Sequence, residues 1–422
     1  MAAQYGLTLY SLDITAAFLN GELEEDVYMQ QPEGFEVGGP DTVCKLQKAI
    51  YGLKQAARQW NIKLHTVLTQ MGYKRLESDR SLYVYQNGTT HIIIPIFIDD
   101  ITIACKHQAD IDQLVAELKK HFELRDIGQT SWLLGIAIKQ DLAAGTVSLS
   151  QKLYIEDTLK RFGMENCNSV KTPMDYNHSL SKDESPSTPS EVSEMADKPY
   201  LSLIGALRYL ADGTCPDIAY AVGVLARFAS NPGIAHWTAA QQVLRYLQGT
   251  KYYGLVYRQQ DASEPFVTYS DADLGGDKSS GKSTTGYTVL MCGAAISWQS
   301  KLQPVVAKST TEAEFVAAST TGNEIMWVRN VLKELGFEVT CTSSLFIDNQ
   351  SSVQVAKNPE HHGRMKHLDL AFYWLRDMVE KKTILPIHIS TQDNPADLLT
   401  KALKPIKFEG FRDDCGLKDI PD

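Results

Sequence analysis

The sequence lacks closely spaced cysteines. Its seven cysteines are scattered along the chain, and no two of them form a C-x-x-C pair. This spacing argues against a zinc site and against a framework of disulfide bonds, because both need cysteines in pairs or clusters. We therefore expect a protein that works in a reducing compartment.

Long hydrophobic runs are also missing. No apolar stretch approaches the roughly 18–20 residues that a membrane-spanning helix needs. The N-terminus has no basic region followed by an apolar core, which is the pattern of a secretory signal peptide. The sequence therefore predicts neither a membrane helix nor a signal peptide, and we expect no membrane partner.

An excess of basic residues is absent as well. With 41 Lys and Arg against 51 Asp and Glu, the formal net charge is −10 and the isoelectric point is about 5.5. A simple basic DNA-binding module would lie above about 9. An enzyme that acts on nucleic acid remains compatible, because its basic residues can be local. Two interpretations are equally open for a stretch that has seven basic residues and no acidic residue among them: a contact with nucleic acid, or a solvated helix face. The seven residues are Lys45, Lys48, Lys54, Arg58, Lys63, Lys74 and Arg75.

The composition is that of a globular protein with several domains. The 422 residues correspond to two or three domains at about 150 residues each. Hydrophobic periodicity predicts a strand at 7–14, a helix at 51–71 and two strands within 92–105. A polar stretch at 177–199 predicts a loop, and a helical segment follows at 200–250. The last predicted elements include a long helix at 311–335, and strands at 266–271, 285–291, 294–299, 344–348 and 384–390.

Two adjacent carboxylates interrupt the apolar run IIIPIFIDDITIAC, at Asp99 and Asp100. One interpretation is a hairpin turn that contains Asp, a common turn residue. The other is a metal site, because ionised carboxylates beside so much apolar surface need a partner or a cation. Asp13 also ends an apolar strand, so the three could converge on two divalent cations. Pro95 cannot donate a ladder hydrogen bond, which predicts an edge or bulged position for its strand.

A second set of carboxylates lies in the last third of the chain. Asp271 follows the strand FVTYS, and Asp348 follows the strand LFI. On the long helix, Glu314 shares a face with apolar residues and Glu312 does not. Ser309 and Glu312 fit a capping box, which is a structural role. A lone carboxylate on the core-facing stripe requires an explanation, and a bound metal ion would provide one.

Asp397 is open to two interpretations from its local sequence. Asn394 fits the N-cap of a short helix, Pro395 its first turn and Asp397 its third position. This arrangement is sound without any ligand. The alternative is that Asp397 joins the other carboxylates at a metal site.

Three segments in order resemble the reverse transcriptase of copia-type LTR retrotransposons: LDITAAFLNGELEEDVYMQQPEGF, KLQKAIYGLKQAARQWN and FIDD. The resemblance implies a right-hand polymerase palm, with Asp13, Asp99 and Asp100 as catalytic metal ligands. Phe18 matches the aromatic steric gate that favours dNTPs, and a core aromatic is the alternative. The Gly52–Gln55 turn, including Gln55, matches the motif that contacts template and incoming nucleotide. The usual Tyr-Val before the aspartates is Phe-Ile here, and the fingers expected upstream of Asp13 are missing.

Four further segments resemble the ribonuclease H domain of the same elements: YSDAD, STTEAEFVA, FIDNQ and NPADLLTK. The resemblance implies a mixed five-stranded sheet and an acidic site with two Mg²⁺ ions, Mn²⁺ being an alternative. Its catalytic metal ligands would be Asp271, Glu314, Asp348 and Asp397, with Asp273 structural. The His that often precedes the last aspartate is absent, and His388 lies in the preceding strand. HHGRMKHLDL also resembles a segment of these elements and could contact phosphates or form a solvated loop.

The resemblance covers nearly the whole chain and leads to an α/β and α+β multidomain protein. We expect palm and thumb at 1–175, a linker and helical connection at 176–262, and a ribonuclease H domain at 263–422. The expected function is RNA-directed DNA polymerase with RNA–DNA hybrid ribonuclease, by two-metal-ion phosphoryl transfer. Ribonuclease H alone, or a non-catalytic remnant that binds nucleic acid, are the alternatives. Expected partners are RNA template, DNA primer, hybrid, dNTPs and the rest of the Pol/Gag polyprotein, in the cytoplasm or virus-like particles, with entry into the nucleus.

Overall fold

The computed structural model describes residues 1–39, 41–357 and 369–420. The basic part of HHGRMKHLDL, at 361–367, lies outside these described residues. The chain is a mixed α/β protein with several sheets. It divides into two compact units. Unit 1 comprises Met1–Ser131 with Asn330–Glu338, and unit 2 comprises Trp132–Arg329 with Val339–Asp422.

Unit 1 is built on a six-stranded antiparallel sheet with the strand order β4-β5-β6-β7-β1-β8. A separate two-stranded ribbon pairs β2 with β3. The strands are β1 Thr8–Ile14, β2 Tyr28–Gln30, β3 Val43–Lys45, β4 Lys74–Arg75, β5 Leu82–Asn87, β6 Thr90–Phe97, β7 Asp100–Cys105 and β8 Leu124–Gln129. The helices are α1 Ala2–Tyr5, α2 Ala56–Gln70 and α3 Gln108–Leu118, with a 3₁₀ turn at Ala17–Asn20.

The core of unit 1 forms where α2 and α3 pack on the sheet. Trp60, Leu64 and Leu68 of α2 are buried against strand residues such as Leu12. These three recur at steps of four residues, as expected for the buried face of a helix. The helix begins at Ala56 rather than at 51, because Gly52 has a φ of 96°, which a helix does not accommodate.

Unit 2 contains two five-stranded sheets. One is antiparallel with the order β18-β12-β11-β10-β9, and the other is mixed with the order β15-β14-β13-β16-β17. The strands are β9 Trp132–Leu133, β10 Ile136–Asp141, β11 Thr146–Ser150, β12 Tyr253–Arg258, β13 Val267–Ala272, β14 Thr284–Met291, β15 Ala294–Leu302, β16 Ser343–Ile347, β17 Ile384–His388 and β18 Leu417–Asp419.

The helices of unit 2 lie mainly between and after these strands. They are α4 Lys152–Arg161, α5 Pro189–Met195, α6 Tyr200–Gly213, α7 Ala219–Ala226, α8 Ile234–Thr250, α9 Thr310–Glu334, α10 Gln350–Lys357, α11 Asp369–Glu380 and α12 Pro405–Asp414. In the described part of unit 2, the 3₁₀ turns are Lys182–Glu184, Pro216–Ile218 and Pro395–Leu399. The last five residues of α9 belong to unit 1. In the antiparallel sheet, β11, β12 and β18 each belong to a different one of the three predicted domains. The borders of these domains stay predictions.

The segment at 177–199 contains more structure than the predicted loop. It includes the 3₁₀ turn Lys182–Glu184 and the helix α5, each with a capping box. In the first box Ser181 pairs with Glu184, and in the second Thr188 pairs with Glu191. A capping box satisfies the backbone N–H groups at a helix start, so short helices form despite the Ser- and Pro-rich composition.

Of the two positions expected for Pro95, an edge strand or a bulge, the edge strand is wrong. Its strand β6 lies inside the sheet, between β5 and β7. The ladder between β6 and β7 runs from Ile92–Cys105 to Phe97–Asp100, but no pair forms at residues 94 and 95. The interruption has a physical reason, because proline has no N–H to donate there.

The described part of the chain has no helix that combines the length and the apolar composition required to span a membrane.

Candidate active sites

Asp13 and the Asp99–Asp100 pair lie together in unit 1. Strands β1 and β7 are antiparallel neighbours, and their register places Asp13 directly opposite Asp100. The backbone N–H of Ile14 donates to the carbonyl oxygen of Asp99 at 3.0 Å. Directly opposed residues on neighbouring strands point to the same face. The structure therefore brings the three carboxylates of the first set to one end of the hairpin.

The hairpin turn at Ile98 and Asp99 has an unusual backbone. Phe97 pairs with Asp100, which leaves a two-residue loop, and Ile98 has a φ of 58°. A positive φ at the first loop residue is typical of a turn that favours glycine there, and it is strained for a β-branched residue. The Nε1 of Trp60 donates to the Ile98 carbonyl at 2.7 Å. This hydrogen bond holds the strained turn, and with it the position of Asp99.

The carboxylates of unit 1 are half-buried and repel one another. Burial raises the pKa of Asp100, and the nearby charges of Asp99 and then Asp13 raise it further. On its other side Asp13 lies opposite Arg125 of β8. Asp13 therefore has an acidic neighbour on one strand and a basic neighbour on the other.

Phe18 lies near this hairpin in unit 1, and Gln55 lies at the start of α2. Phe18 belongs to the 3₁₀ turn Ala17–Asn20, and its ring centroid is 4.7 Å from that of Tyr51. Phe18 also lines a cavity of about 280 Å³ with Trp60 and Ile98. Gln55 precedes the first residue of α2, and its Nε2 donates to Glu25 at 3.3 Å.

In unit 2, the sheet brings Asp271 and Asp348 side by side. Strands β13 and β16 are parallel, and Ser270 pairs with Ile347. Asp271 follows Ser270 in the chain, and Asp348 follows Ile347. Because parallel strands end at the same edge, their carboxyl ends place both carboxylates there, the usual location of sites in such sheets.

The helix α9 brings Glu314 to the same edge. Its predicted core-facing stripe is buried, with Ala318, Thr321 and Ile325 at 1% exposure or less. Ser309 caps the helix by accepting from the backbone N–H of Glu312 at 3.2 Å. The Glu312 carboxylate accepts from the Lys308 N–H at 2.9 Å, which supports the structural role predicted for Glu312.

The Asp271–Glu314–Asp348 trio has ligand atoms that all lie within 4.8 Å of one another. Among the described residues, the carboxylates of unit 1 do not form so tight a group. Asp271 is 1% exposed and Glu314 5%, while Asp348 is half-buried. One oxygen of Glu314, Oε2, is buried without a hydrogen-bond partner. Three convergent carboxylates with an unsatisfied oxygen match the hard oxygen ligands of Mg²⁺.

Burial dominates the electrostatics of the trio. It raises the pKa of Glu314 to about 10, with the charges of Asp271 and Asp348 as further causes. Burial also raises the pKa of Asp271 to about 7, against the opposite effect of the Lys401 ammonium. Without a cation, burial therefore favours the protonated form of Glu314. A bound cation would favour the charged form.

Asp397 lies beside the trio and is held by two lysines. It is 1% exposed, with Oδ1 at 2.6 Å from Lys401 Nζ and Oδ2 at 2.5 Å from Lys407 Nζ. Lys401 Nζ also lies 3.4 Å from Asp271 Oδ2, so it links the two carboxylates. The structure thus brings Asp397 next to Asp271, but among lysines rather than within the trio.

The 3₁₀ turn that carries Asp397 starts as the sequence predicts. The Asn394 side chain accepts from the Ala396 N–H at 3.2 Å, and its Nδ2 donates to the Ser270 carbonyl at 3.0 Å. Gly286, which pairs with Asp271, allows the close approach of this turn. A Cβ at Gly286 would lie 2.6 Å from Thr400 Cγ2 and 2.9 Å from Leu399 Cβ.

Several polar partners of these carboxylates were not predicted. Thr400 donates to Asp271, and Thr391 Oγ1 donates to Asp348 Oδ2 at 2.8 Å. The spacing of Lys401, four residues after Asp397, was a usable signal, because such pairs are neighbours on a helical turn. Lys407 and Thr391 gave no local signal, since the fold alone brings them near. Asp273 accepts from the Thr284 N–H, in agreement with a structural role.

Comparison with known proteins adds an independent line. The model of a family described as reverse transcriptase (RNA-dependent DNA polymerase) matches residues 1–176. The Pol polyprotein from transposon TNT 1-94 of Nicotiana tabacum is 42% identical over 420 residues, which cover 99% of this chain and 31% of that protein. That from transposon RE2 of Arabidopsis thaliana is 36% identical over 97% of this chain and 28% of that protein. The chain thus spans less than a third of these two relatives.

A shorter relative is matched over its whole length. The transposon Ty5-1 protein of Saccharomyces cerevisiae is 33% identical over 74% of this chain and 100% of that protein. The chain belongs to the family of copia-type retrotransposon Pol polyproteins. A solved ribonuclease H1 in complex with an RNA/DNA hybrid covers 32% of this chain and 93% of that chain, at 15% identity. Its TM-score of 0.23 is too low to support an inference.

Proposed function

We propose that this chain cleaves the RNA strand of RNA–DNA hybrids at the Asp271–Glu314–Asp348 trio. The observation that carries the proposal is the convergence of three carboxylates within 4.8 Å, two of them almost fully buried. Like charges so close in a buried site are costly unless cations are bound. The mixed sheet, with carboxylates after two parallel strands, supports a ribonuclease H-like domain.

In this proposal the chain's own residues orient the reacting groups. Asp271, Glu314 and Asp348 would hold two Mg²⁺ ions. Asp397 would join them by releasing its two lysine partners and binding Mg²⁺ instead. Bound Mg²⁺ supplies charge stabilisation at the phosphodiester and a lowered pKa of water. Lys401 and Thr400 fix the orientation of Asp271, and Thr391 fixes that of Asp348. Partners of this kind set the geometry of metal ligands.

We further propose RNA-directed DNA polymerase activity at the hairpin of unit 1. The register of Asp13 opposite Asp100, next to Asp99, supports this function. These carboxylates would hold the Mg²⁺ ions that accompany an incoming dNTP. Phe18, beside the cavity of about 280 Å³, would exclude a ribose 2′-hydroxyl. Gln55, at the start of α2, would contact template or nucleotide. The partners would be RNA template, DNA primer, and further parts of the polyprotein.

The nuclease proposal is tested with a labelled RNA–DNA hybrid and Mg²⁺. We expect cleavage by the chain and a loss of about a hundredfold or more in Asp348→Asn, because metal-assisted charge stabilisation is worth several kcal/mol. The matched control is Asp212→Asn, whose side chain is 61% exposed and pairs with Arg208. Cleavage that survives Asp348→Asn would show that the trio is not the site.

Primer extension on an RNA template tests the polymerase proposal in the same way. We expect extension by the chain and its loss in Asp99→Asn. Hybrid cleavage without extension would favour the nuclease-only alternative. Hybrid binding with neither activity would favour a non-catalytic nucleic-acid-binding protein.

A further inference from the structure

A polar cavity of unit 2 lies beside the trio. Its volume is about 320 Å³, and Lys401 is one of its lining residues. Lys401 Nζ lies 3.4 Å from Asp271 Oδ2, so the cavity reaches within one side chain of the trio. Any polynucleotide strand held at the trio has to continue along neighbouring protein surface. The cavity is therefore a place to look for contacts with that strand.

One wall of this cavity is a continuous segment, Met174 to Leu180, which we call the strap. Met174 and Leu180 are each 8% exposed and belong to the main hydrophobic core of unit 2. The five residues between them are exposed. Asp175 Oδ1 accepts from the Asn177 N–H at 2.9 Å and from its Nδ2 at 3.2 Å. The strap is thus anchored at both ends and presents polar side chains between the anchors.

Arg227 also lines the cavity and offers a cation with fixed geometry. Arg227 Nη1 lies 3.3 Å from Asp277 Oδ1, and its Nη2 donates to Thr284 Oγ1 at 3.3 Å. Its side chain is 20% exposed. Five guanidinium N–H donors exceed these two partners, which leaves donors for a ligand.

The carboxylates that line the cavity are already engaged. Asp175 accepts from its own turn, Asp273 from the Thr284 N–H, and Asp277 from Arg227 and Ser280. The other polar side chains of the lining are Arg, Lys, Tyr, Asn, Ser and His, of which Lys401 pairs with Asp271 and Asp397, His178 with Glu184, and Asn177 with Asp175. These are residue types that bind phosphate and sugar oxygens. The ring of Tyr176, at 45% exposure, also offers a stacking surface for a base.

We propose that the strap and Arg227 form a binding subsite for one strand of the nucleic acid as it passes the trio, with Tyr176 stacking on a base. The subsite rests on the proposed nuclease function for its substrate. Its role is affinity and placement of the strand. Its residues are therefore positioning residues, and their loss weakens binding without removing the chemistry.

Binding is measured by fluorescence anisotropy of a hybrid in the Asp348→Asn background, where cleavage does not interfere. We expect Tyr176→Ala to raise Kd roughly tenfold, because the variant loses the stacking of one base. Tyr252→Ala is the matched control, since Tyr252 is 40% exposed and lies outside the cavity. Ser179→Asp should weaken binding most at low salt, by repulsion of phosphate, whereas the exposed Ser193→Asp should not.

A second readout identifies the strand. A 4-thiouridine in the RNA, or a 4-thiothymidine in the DNA, should crosslink to residues 174–180, and Tyr176→Ala should reduce the yield. In otherwise wild-type chain, Tyr176→Ala should raise KM and leave kcat near its normal value. Unchanged Kd in both strap variants, with no crosslink from either strand, would overturn the subsite. Loss of cleavage in Asp348→Asn would still support the trio, so the two failures are distinguishable.

Discussion

The two carboxylate clusters differ in burial and in how the charges of their carboxylates are screened. In unit 1, Asp13, Asp99 and Asp100 are half-buried at the end of an antiparallel hairpin. In unit 2, the trio lies at the carboxyl edge of two parallel strands, and burial raises the pKa of Glu314 to about 10. Water reaches all three carboxylates of the first cluster, whereas in the second cluster only Asp348 is half-buried and the other two carboxylates are screened mainly by protein groups. We infer that the second depends more strongly on a cation.

The largest effect that would sharpen this comparison is the separation of the two activities. Asp99→Asn should reduce primer extension by about a hundredfold or more and leave hybrid cleavage unchanged, and Asp348→Asn should do the reverse. Each variant serves as the control for the other in paired assays. Loss of both activities in either variant would mean that the clusters do not act separately.

The next effect tests the lysines that only the second cluster has. Lys401→Met should lower the free energy of unfolding by about 2 kcal/mol, because it leaves two buried carboxylates without their shared cation. The figure lies below that for a fully buried pair, since the Lys401 side chain is 38% exposed. Urea denaturation without Mg²⁺ measures it. Lys381→Met, which removes an exposed pair with Asp377, should cost far less.

A smaller effect tests cation dependence directly. At a Mg²⁺ concentration ten times Kd, binding should stabilise the wild type by about 1.4 kcal/mol. Glu314→Gln should abolish this gain and leave stability without Mg²⁺ nearly unchanged, because burial raises the pKa of Glu314 and so favours its protonated form, which Gln resembles. Thermal unfolding with and without Mg²⁺ provides the comparison, with the exposed Glu194→Gln as control. Equal Mg²⁺ stabilisation of Glu314→Gln would remove Glu314 from the site.

The smallest effect concerns the strained turn of the first cluster. Ile98→Gly should raise the free energy of unfolding by about 1 kcal/mol, because glycine adopts a positive φ without strain. Ile98 is 43% exposed, so little packing is lost. Ile127→Gly, at 52% exposure in the extended strand β8, should instead destabilise. Hydrogen exchange of β6 and β7 in urea reports both changes. Destabilisation in both variants would show that the turn stores no strain.

Local sequence was enough to predict elements whose cause is local. The hairpin of β6 and β7, the buried stripe of α9 and the cap at Asn394 all follow from periodicity or capping residues. The capping boxes Ser181–Glu184 and Thr188–Glu191 are equally visible in the sequence, although the composition at 177–199 predicts a loop. Here a specific hydrogen-bond pattern outweighed a general loop signal.

Features that depend on distant pairing were beyond the sequence. The order of the six-stranded sheet depends on β1 inserting between β7 and β8, which no local pattern shows. Lys407 reaches Asp397 only because α12 packs back on the 3₁₀ turn. Likewise the gathering of Asp271, Glu314 and Asp348 requires the register of β13 and β16. The roles assigned to all these residues stay predictions.

The antiparallel sheet of unit 2 limits where the chain can be cut. Its last strand, Leu417–Asp419, pairs with Tyr253–Arg258, which in turn pairs with Thr146–Ser150. A fragment that starts at 263 would therefore carry the terminal strand β18 without β12, the strand with which it pairs, and without β11 on the other side of β12. A designer who wants the trio alone should begin near Trp132 and retain the chain through Asp419. A fragment that keeps this sheet together with the trio would be about twice as long as the predicted domain at 263–422, and it would leave no strand of the sheet unpaired.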